Sequence, residues 1–260
     1  MAAAEAGRHL AIAGSCACAS LDPAAGKRFY LANRATLRRL SQASSIEGPL
    51  VVEANALSRD KRKAQAQATI SDAQGRVIFA LDVGYMVLEE RVFQRMFAGH
   101  RRDLRAQTRA AEGVFEHLRK NPYQKPLPLV PTELDREHGV SLLPELQGEL
   151  CAGHFPLYPA MPVALLMYGL SSLSGEVLRA RYGAQHRYFV QGGSVQADNL
   201  AFAGESLRFE SHWRGSEGGD DSFEARAVMQ DGAIAGSMEL SLRRVEHARV
   251  DETDTLHVRH

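Results

Sequence analysis

One histidine in this chain is followed by three closely spaced prolines. His154 falls in the string Gly153-His-Phe-Pro-Leu-Tyr-Pro-Ala-Met-Pro162. An imidazole is the side chain best suited to accept or donate a proton near neutral pH. A histidine at the end of a strand can equally be held by a backbone carbonyl and take no part in chemistry. The residue type therefore indicates either acid–base chemistry or a structural contact.

Two further positions carry charge that could serve a site. Asp22 is followed by Pro23, a pair that commonly begins a turn or caps a helix, but its carboxylate could also act on a substrate. The segment Arg59-Asp60-Lys61-Arg62-Lys63 is dense in positive charge, which usually marks a solvated hairpin. The three cysteines have neither the spacing of a zinc site nor that of a disulfide framework. No metal and no cofactor are predicted.

Three stretches are predicted as helices that would position these residues: Lys27 to Gln42, Val92 to Lys120 and Pro162 to Arg181. The third is apolar through its first turns, which is typical of a helix buried on most sides. Strand signals follow the first and third helices. The predicted strands are Leu50 to Ala56, Ala64 to Ile70, Val77 to Leu88, Val195 to Ala197, Ser206 to Trp213, Phe223 to Met229 and Ile234 to Leu242.

The order of short strand, helix and antiparallel strands occurs twice along the chain. It predicts an α+β protein of two similar domains, each a curved antiparallel sheet wrapped around a long helix. The stretch 121–131 contains four prolines, which favours an extended linker. The expected domains are therefore 1–120, with a C-terminal helix, and 132–260.

The string around His154 resembles the active-site segment of bacterial 3-hydroxyacyl-carrier-protein dehydratases, which read Gly-His-Phe-Pro-Gly-x-Pro-x-Met-Pro-Gly. A second match is Ala203-Gly204-Glu205-Ser206-Leu207, which is similar to the family's Pro-Gly-Asp-x-Leu. Together the two cover roughly the second half of the chain. Asp22 and the residues after it are faintly similar to the Asp-containing loop of hotdog acyl-CoA thioesterases.

The resemblance implies a double hotdog fold and a role for each site residue. His154 matches the catalytic base, and Gly153 and Phe155 flank it at the substrate. Val163 stands where a backbone N–H at the start of a helix points at the thioester carbonyl. Tyr168 occupies the position of the family's acidic Glu.

When the first half of the chain is aligned with the second, Asp22 corresponds to His154. Asn33 or Thr36 then falls near the position that corresponds to the Glu, on the first predicted helix. Neither pairing of halves reproduces a histidine with a carboxylate.

The implied function is an enzyme acting on acyl thioesters, carried by acyl carrier protein or coenzyme A and bound in a tunnel between the two domains. Dehydration of a 3-hydroxyacyl thioester is the main hypothesis, and hydrolysis by a thioesterase is the first alternative. A non-catalytic acyl-binding module or partner subunit is the second. The cluster Arg59 to Lys63 would receive the phosphates of coenzyme A or the acidic helix of a carrier protein.

The charge balance bounds the partners further. The 31 basic and 31 acidic residues give a formal net charge of zero, so nothing in the composition favours nucleic acid. No apolar run approaches the roughly 18 residues of a membrane helix, and the apolar N-terminal stretch lacks the pattern of a secretory signal. The chain is therefore predicted to be cytoplasmic, without membrane contact, with possible homo-oligomers through sheet edges.

Overall fold

The computed structural model describes residues 2–22, 26–41, 48–102, 123, 125–151, 154–155 and 157–245. The helices in this part are α1 (Ala3–Ser20), α2 (Glu90–Met96) and α3 (Val163–Tyr182), with short 3-10 turns at Ala98–His100 and Gly148–Cys151. The strands are β1 (Arg28–Arg39), β2 (Val51–Arg59), β3 (Lys63–Ser71), β4 (Val77–Glu89), β5 (Val130–Leu134), β6 (His138–Leu143), β7 (Arg187–Ala197), β8 (Leu207–Glu217), β9 (Asp220–Met229) and β10 (Ile234–Val245).

All ten strands belong to one antiparallel sheet, in the order β2-β3-β4-β1-β7-β10-β9-β8-β6-β5. The two halves of the chain meet where β1 pairs with β7. The α+β class is as predicted, but the chain has one continuous sheet where two were expected. Helices α1 and α3 lie on the same face of this sheet, because Ala35 at the junction contacts the core under α1 and the core under α3.

The long helix of the first half is α1, in the apolar N-terminal stretch that was considered only as a targeting signal. Its buried residues include Gly7, Leu10, Gly14 and Cys18, three or four apart, so they form one helical face. A Cβ on Gly14 would lie 2.6 Å from the Tyr85 hydroxyl, which donates a hydrogen bond to a backbone carbonyl of α1. The absence of a side chain at position 14 lets the sheet approach the helix.

The prediction of a helix from Lys27 to Gln42 is wrong, because this segment forms β1. The strand carries a bulge between Ala32 and Arg34, opposite β4. A bulge adds one residue and shifts the alternation of side chains between the two faces. Leu31 and Leu37 therefore lie on opposite faces although an even number of positions separates them. The resulting irregular spacing of apolar residues in this segment is similar to that of a helix.

The remaining predictions agree better with the observed elements. The third helix was predicted as Pro162 to Arg181 and is observed as α3. All seven predicted strands fall on observed strands, and Gly75 and Gly232 in the predicted turns have φ of 76° and 87°. The second predicted helix, Val92 to Lys120, is observed only at its start, because α2 ends at Met96 and a 3-10 turn follows at Ala98–His100. Residues 103–122 lie outside the described residues. Strand β5 begins at Val130, inside the stretch predicted as linker.

A buried carboxylate fixes the C-terminal end of α3 to the sheet. Asp221 is fully buried and accepts hydrogen bonds from the Tyr182 hydroxyl at 3.0 Å and the Trp213 indole N–H at 2.9 Å. It also pairs with Arg244, whose Nε lies 2.9 Å from the carboxylate. Because these donors come from α3, β8 and β10, one side chain on β9 joins four elements.

Replacing Asp221 with alanine should destabilise the fold by about 3–5 kcal/mol, because the arginine and two other donors lose their buried acceptor. Asp220→Ala is the matched control, since Asp220 pairs with Arg243 where both side chains are partly exposed. Urea unfolding should show a clearly smaller loss for the control. Equal losses would contradict a special role for the buried carboxylate.

Candidate active site

His154 lies in the loop that leads into α3, which we call the histidine loop (154–160). Its Nδ1 is 3.0 Å from the carbonyl oxygen of Ala160. A carbonyl only accepts, so Nδ1 carries the proton and the lone pair of the neutral ring is on Nε2. Burial lowers the pKa of His154, and the positive charge of Arg8 on α1 lowers it further. The histidine is thus held neutral, in the tautomer that a general base requires.

The histidine loop packs into an aromatic cluster built from both halves of the chain. Phe155 contacts Phe93 of α2 with ring centroids 5.0 Å apart and Phe29 of β1 at 5.6 Å. Phe155 has φ of 52° and is the single non-glycine residue with positive φ in the described part. This conformation costs free energy in a bulky residue. The surrounding rings therefore hold Phe155, and the adjacent His154, in place.

The loop is also tied to the second matched motif. Ala160 forms a bridge with Phe202, and the Met161 N–H donates to the carbonyl of Ala201. Glu205 accepts the Phe202 N–H at 2.8 Å, and Gly204 before it has φ of 91°. The Ala203 to Leu207 motif thus lies beside the histidine loop and leads into β8, as predicted.

The loop places His154 next to the start of α3. Pro162 is the N-cap, and its carbonyl accepts the N–H groups of Leu165 and Leu166. Helix geometry leaves the N–H groups of Val163 and Ala164 without an acceptor inside the helix. These two groups, with the positive end of the helix dipole, can stabilise a negative oxygen. Val163 is thus at the helix start where it was predicted.

Cys151 is excluded as a nucleophile partner of the histidine. The backbone carbonyl of Cys151 accepts the His154 N–H at 3.0 Å, so the two residues are neighbours in space. The thiol is buried, and burial raises its pKa to about 12. It therefore stays protonated, whereas a nucleophilic cysteine needs its thiolate.

Tyr168 on α3 is half-buried and packs against the core under that helix. Its ring packs edge-on against Tyr123, with centroids 5.8 Å apart, and burial raises its pKa. A phenol with a raised pKa is a weaker acid than an ordinary tyrosine. The residue at the position of the family's acidic Glu is thus poorly suited to donate a proton.

Asp22, aligned before with His154, follows α1 instead of preceding a helix. It pairs with Arg59, the closest atoms being 3.6 Å apart. Arg8, whose charge acts on His154, is 12 residues before the end of α1 at Ser20, a rise of about 18 Å. The alignment is wrong because the first helix lies before Asp22, so the loops that begin α3 and end α1 are not equivalent.

Asn33 and Thr36 lie on β1, so their assignment to a helix is wrong, and neither is near the histidine loop by any observed contact. Asn33 is the bulged residue of β1 and lines a groove of about 710 Å³ on the outer face of the sheet. Thr36 contacts Ser194 across the junction, oxygen to oxygen at 3.1 Å. Thr36 and Ser194 line the central trough, a hollow of about 1010 Å³ on that face. Gly153 lies outside the described residues.

The gap between α1 and α3 is smaller than the predicted tunnel. Ala4, Met167 and Leu240 are among the side chains around it, and about 10 Å³ is free. That volume is at the lower limit for a single water. An acyl chain therefore has no room between the helices in this conformation.

The outer face was missed by the sequence reasoning. Alternate positions of β1, β3 and β4 carry Arg34, Gln65 and Gly84, which line both the groove and the trough. The outer face could have been found from the alternation of polar and apolar residues along the strands, if β1 had been assigned as a strand. In the described part of the chain, no three His, Cys, Asp or Glu side chains are grouped to hold a metal. None of the helices in that part is long and apolar enough to span a membrane.

No family model matches the chain, and no curated protein matches it in sequence. Its fold, however, is similar to solved structures of hotdog type. A TesB protein of Mycobacterium avium subsp. paratuberculosis is 11% identical with a TM-score of 0.62, over 95% of this chain and 88% of that one. The acyl-CoA thioesterase II TesB2 of Mycobacterium marinum is 12% identical with a TM-score of 0.54, over 84% and 82%.

A putative oleoyl thioesterase of Lactobacillus plantarum is 10% identical with a TM-score of 0.56, over 84% of this chain and 77% of that one. At these identities the likeness establishes the fold alone. The predicted hotdog-type fold is thereby supported, while these similarities do not bear on the dehydratase motif.

The stability of the protein should fall as the pH drops below about 6.5, the ordinary pKa of histidine. His154 and His212 both have lowered pKa values, in each case chiefly through burial. The unfolded chain therefore binds protons at a pH where the folded chain does not, and this loss is absent above that pH.

Urea unfolding between pH 5 and 8 would measure this dependence. His154→Asn keeps an N–H that can reach the Ala160 carbonyl but cannot titrate, so its stability should depend less on pH. An unchanged dependence would contradict a buried neutral His154.

Proposed function

We propose that the chain is an acyl thioester hydrolase in which His154 is the general base. The observation that carries the proposal is the hydrogen bond from His154 Nδ1 to the Ala160 carbonyl. It leaves Nε2 free to accept a proton from water. The likeness of the fold to structures described as an acyl-CoA thioesterase and a putative oleoyl thioesterase supports the same reaction.

The reaction follows from these groups in two steps. Nε2 of His154 removes a proton from water while the water oxygen attacks the thioester carbonyl carbon. The negative oxygen that forms is stabilised by the N–H groups of Val163 and Ala164. The intermediate then breaks its carbon–sulfur bond, and the departing thiolate takes the proton from His154. The products are a carboxylic acid and a free thiol.

Hydrolysis is better supported than dehydration, which was the main hypothesis from the sequence. Dehydration needs an acid for the departing hydroxyl in addition to the base. Tyr168, which holds the position of that acid, is packed against Tyr123 and has a raised pKa. Hydrolysis requires only the base and the oxyanion donors, and the thiolate can recover the proton from His154 itself.

His154→Asn should lower the rate of thioester hydrolysis by about a hundredfold or more, because the base is lost while the loop contact is kept. The measurement is thiol release from acyl thioesters of several chain lengths. His9→Asn, an exposed histidine on α1, is the control and should retain the wild-type rate. Full activity of His154→Asn would remove the histidine from the mechanism. Retained ligand without turnover in the wild type would favour an acyl-binding module.

Tyr168→Phe should leave the hydrolysis rate within about twofold of wild type, because a half-buried tyrosine with a raised pKa is not expected to transfer a proton. Mass spectrometry with a 3-hydroxyacyl thioester would detect the alternative chemistry. A product that has lost water but kept its thioester, formed by the wild type and not by Tyr168→Phe, would restore the dehydratase hypothesis.

A further inference from the structure

The groove on the outer face of the first half is strongly basic. Five cationic side chains line it, against the one carboxylate of Glu89. All five are exposed. They come from three separate elements, β1, the β2–β3 hairpin and α2, and are Arg34, Lys61, Arg62, Lys63 and Arg91. We call this the basic groove.

Within the described residues, Arg91 is the one of these five cations that forms an ion pair, and the Asp60 carboxylate attracts Lys63. Glu89 is engaged by Arg91, with the closest atoms 3.3 Å apart, and by Arg28 at 3.9 Å. The Asp60 carboxylate accepts the backbone N–H groups of Arg62 and Lys63 at 2.8 and 2.7 Å. The described part shows no ion pair for Lys61, so its ammonium group is available to a ligand.

The fold places these cations around a concave surface rather than on a free hairpin tip. Asp60 fixes the hairpin turn, and the Val87 N–H donates to the Arg62 carbonyl at 2.7 Å. Arg34 lies flat over Gly84, where a Cβ would be 3.0 Å from its Nε. The volume of about 710 Å³ is within the range of small-molecule sites.

The floor of the basic groove connects it with the histidine loop. Met86 and Leu88 line the groove and also pack against the aromatic cluster that includes Phe155. The basic groove and the histidine loop therefore contact one set of packed apolar side chains.

We infer that the basic groove binds a multiply phosphorylated ligand, and that its occupant is the nucleotide part of a coenzyme A thioester. Several phosphates would satisfy several separated cations, and lysine and arginine are the usual phosphate-binding side chains. The identity of the occupant rests on the proposed function, whereas the anion site does not. A folded carrier protein fits this concave site less well than a small molecule does.

The test is calorimetric titration with free coenzyme A, which requires no turnover. The double variant Lys61→Ala, Lys63→Ala should bind coenzyme A about tenfold or more weakly, because two charge-assisted contacts are lost. The variant Lys61→Arg, Lys63→Arg keeps both charges and should retain binding. Lys125→Ala, an exposed lysine outside the groove, should bind as the wild type does. Pantetheine, which lacks the phosphates, should bind much more weakly to every protein.

Equal affinity of the wild type and the double alanine variant would overturn the inference, as would equal affinity for coenzyme A and pantetheine. Binding of phosphopantetheinylated carrier protein with no binding of coenzyme A would overturn it as well. Coenzyme A binding that depends on the two lysines, without hydrolysis of any thioester, would support the groove and reject the proposed hydrolase. Hydrolysis of pantetheine thioesters without coenzyme A binding would do the reverse.

Discussion

The close approach of three strands at the junction is the constraint on which the rest of the structure depends. A Cβ on Gly192 would lie 2.9 Å from the Leu37 carbonyl oxygen on β1, and one on Gly193 would lie 2.8 Å from the Glu239 carbonyl oxygen on β10. Side chains at these positions would push β7 away from both neighbours. The two glycines therefore let the halves share one sheet, which places α1 and α3 on a common face.

That arrangement separates two chemical environments. The helix face is apolar, and burial at the edge of the core lowers the pKa of His154 near the start of α3. The outer face is polar and open, and there Arg34, Lys61 and Lys63 keep their charges in water. The aromatic cluster links the two, because it is built from the histidine loop, β1, β4 and α2. A coenzyme A thioester has matching parts, since its carrier is anionic and its reacting carbonyl carbon is uncharged.

The sequence was most informative where local pattern and tertiary environment agree. Helix α3 has apolar residues on almost every side, and burial on most sides is what such a segment requires. The hairpins carry Gly75 and Gly232 with positive φ, a conformation that glycine adopts at little cost. The pattern misled at β1, where the bulge at Asn33 breaks the alternation. In α1 the face of Gly7, Gly14 and Cys18 is so small that it does not resemble an ordinary amphipathic helix.

By itself the sequence determined the class of the fold, most strands, the helix after the histidine loop and His154 as the leading candidate for a base. These features depend on residues close together in the chain, whose periodicity and turn chemistry act locally. Only the tertiary structure decided that Asn33 and Thr36 lie on a strand, that Asp22 follows a helix, and that cations of three elements surround one groove. Those relations depend on strand order and on the register at the β1–β7 junction, and both are fixed by packing between residues far apart in sequence.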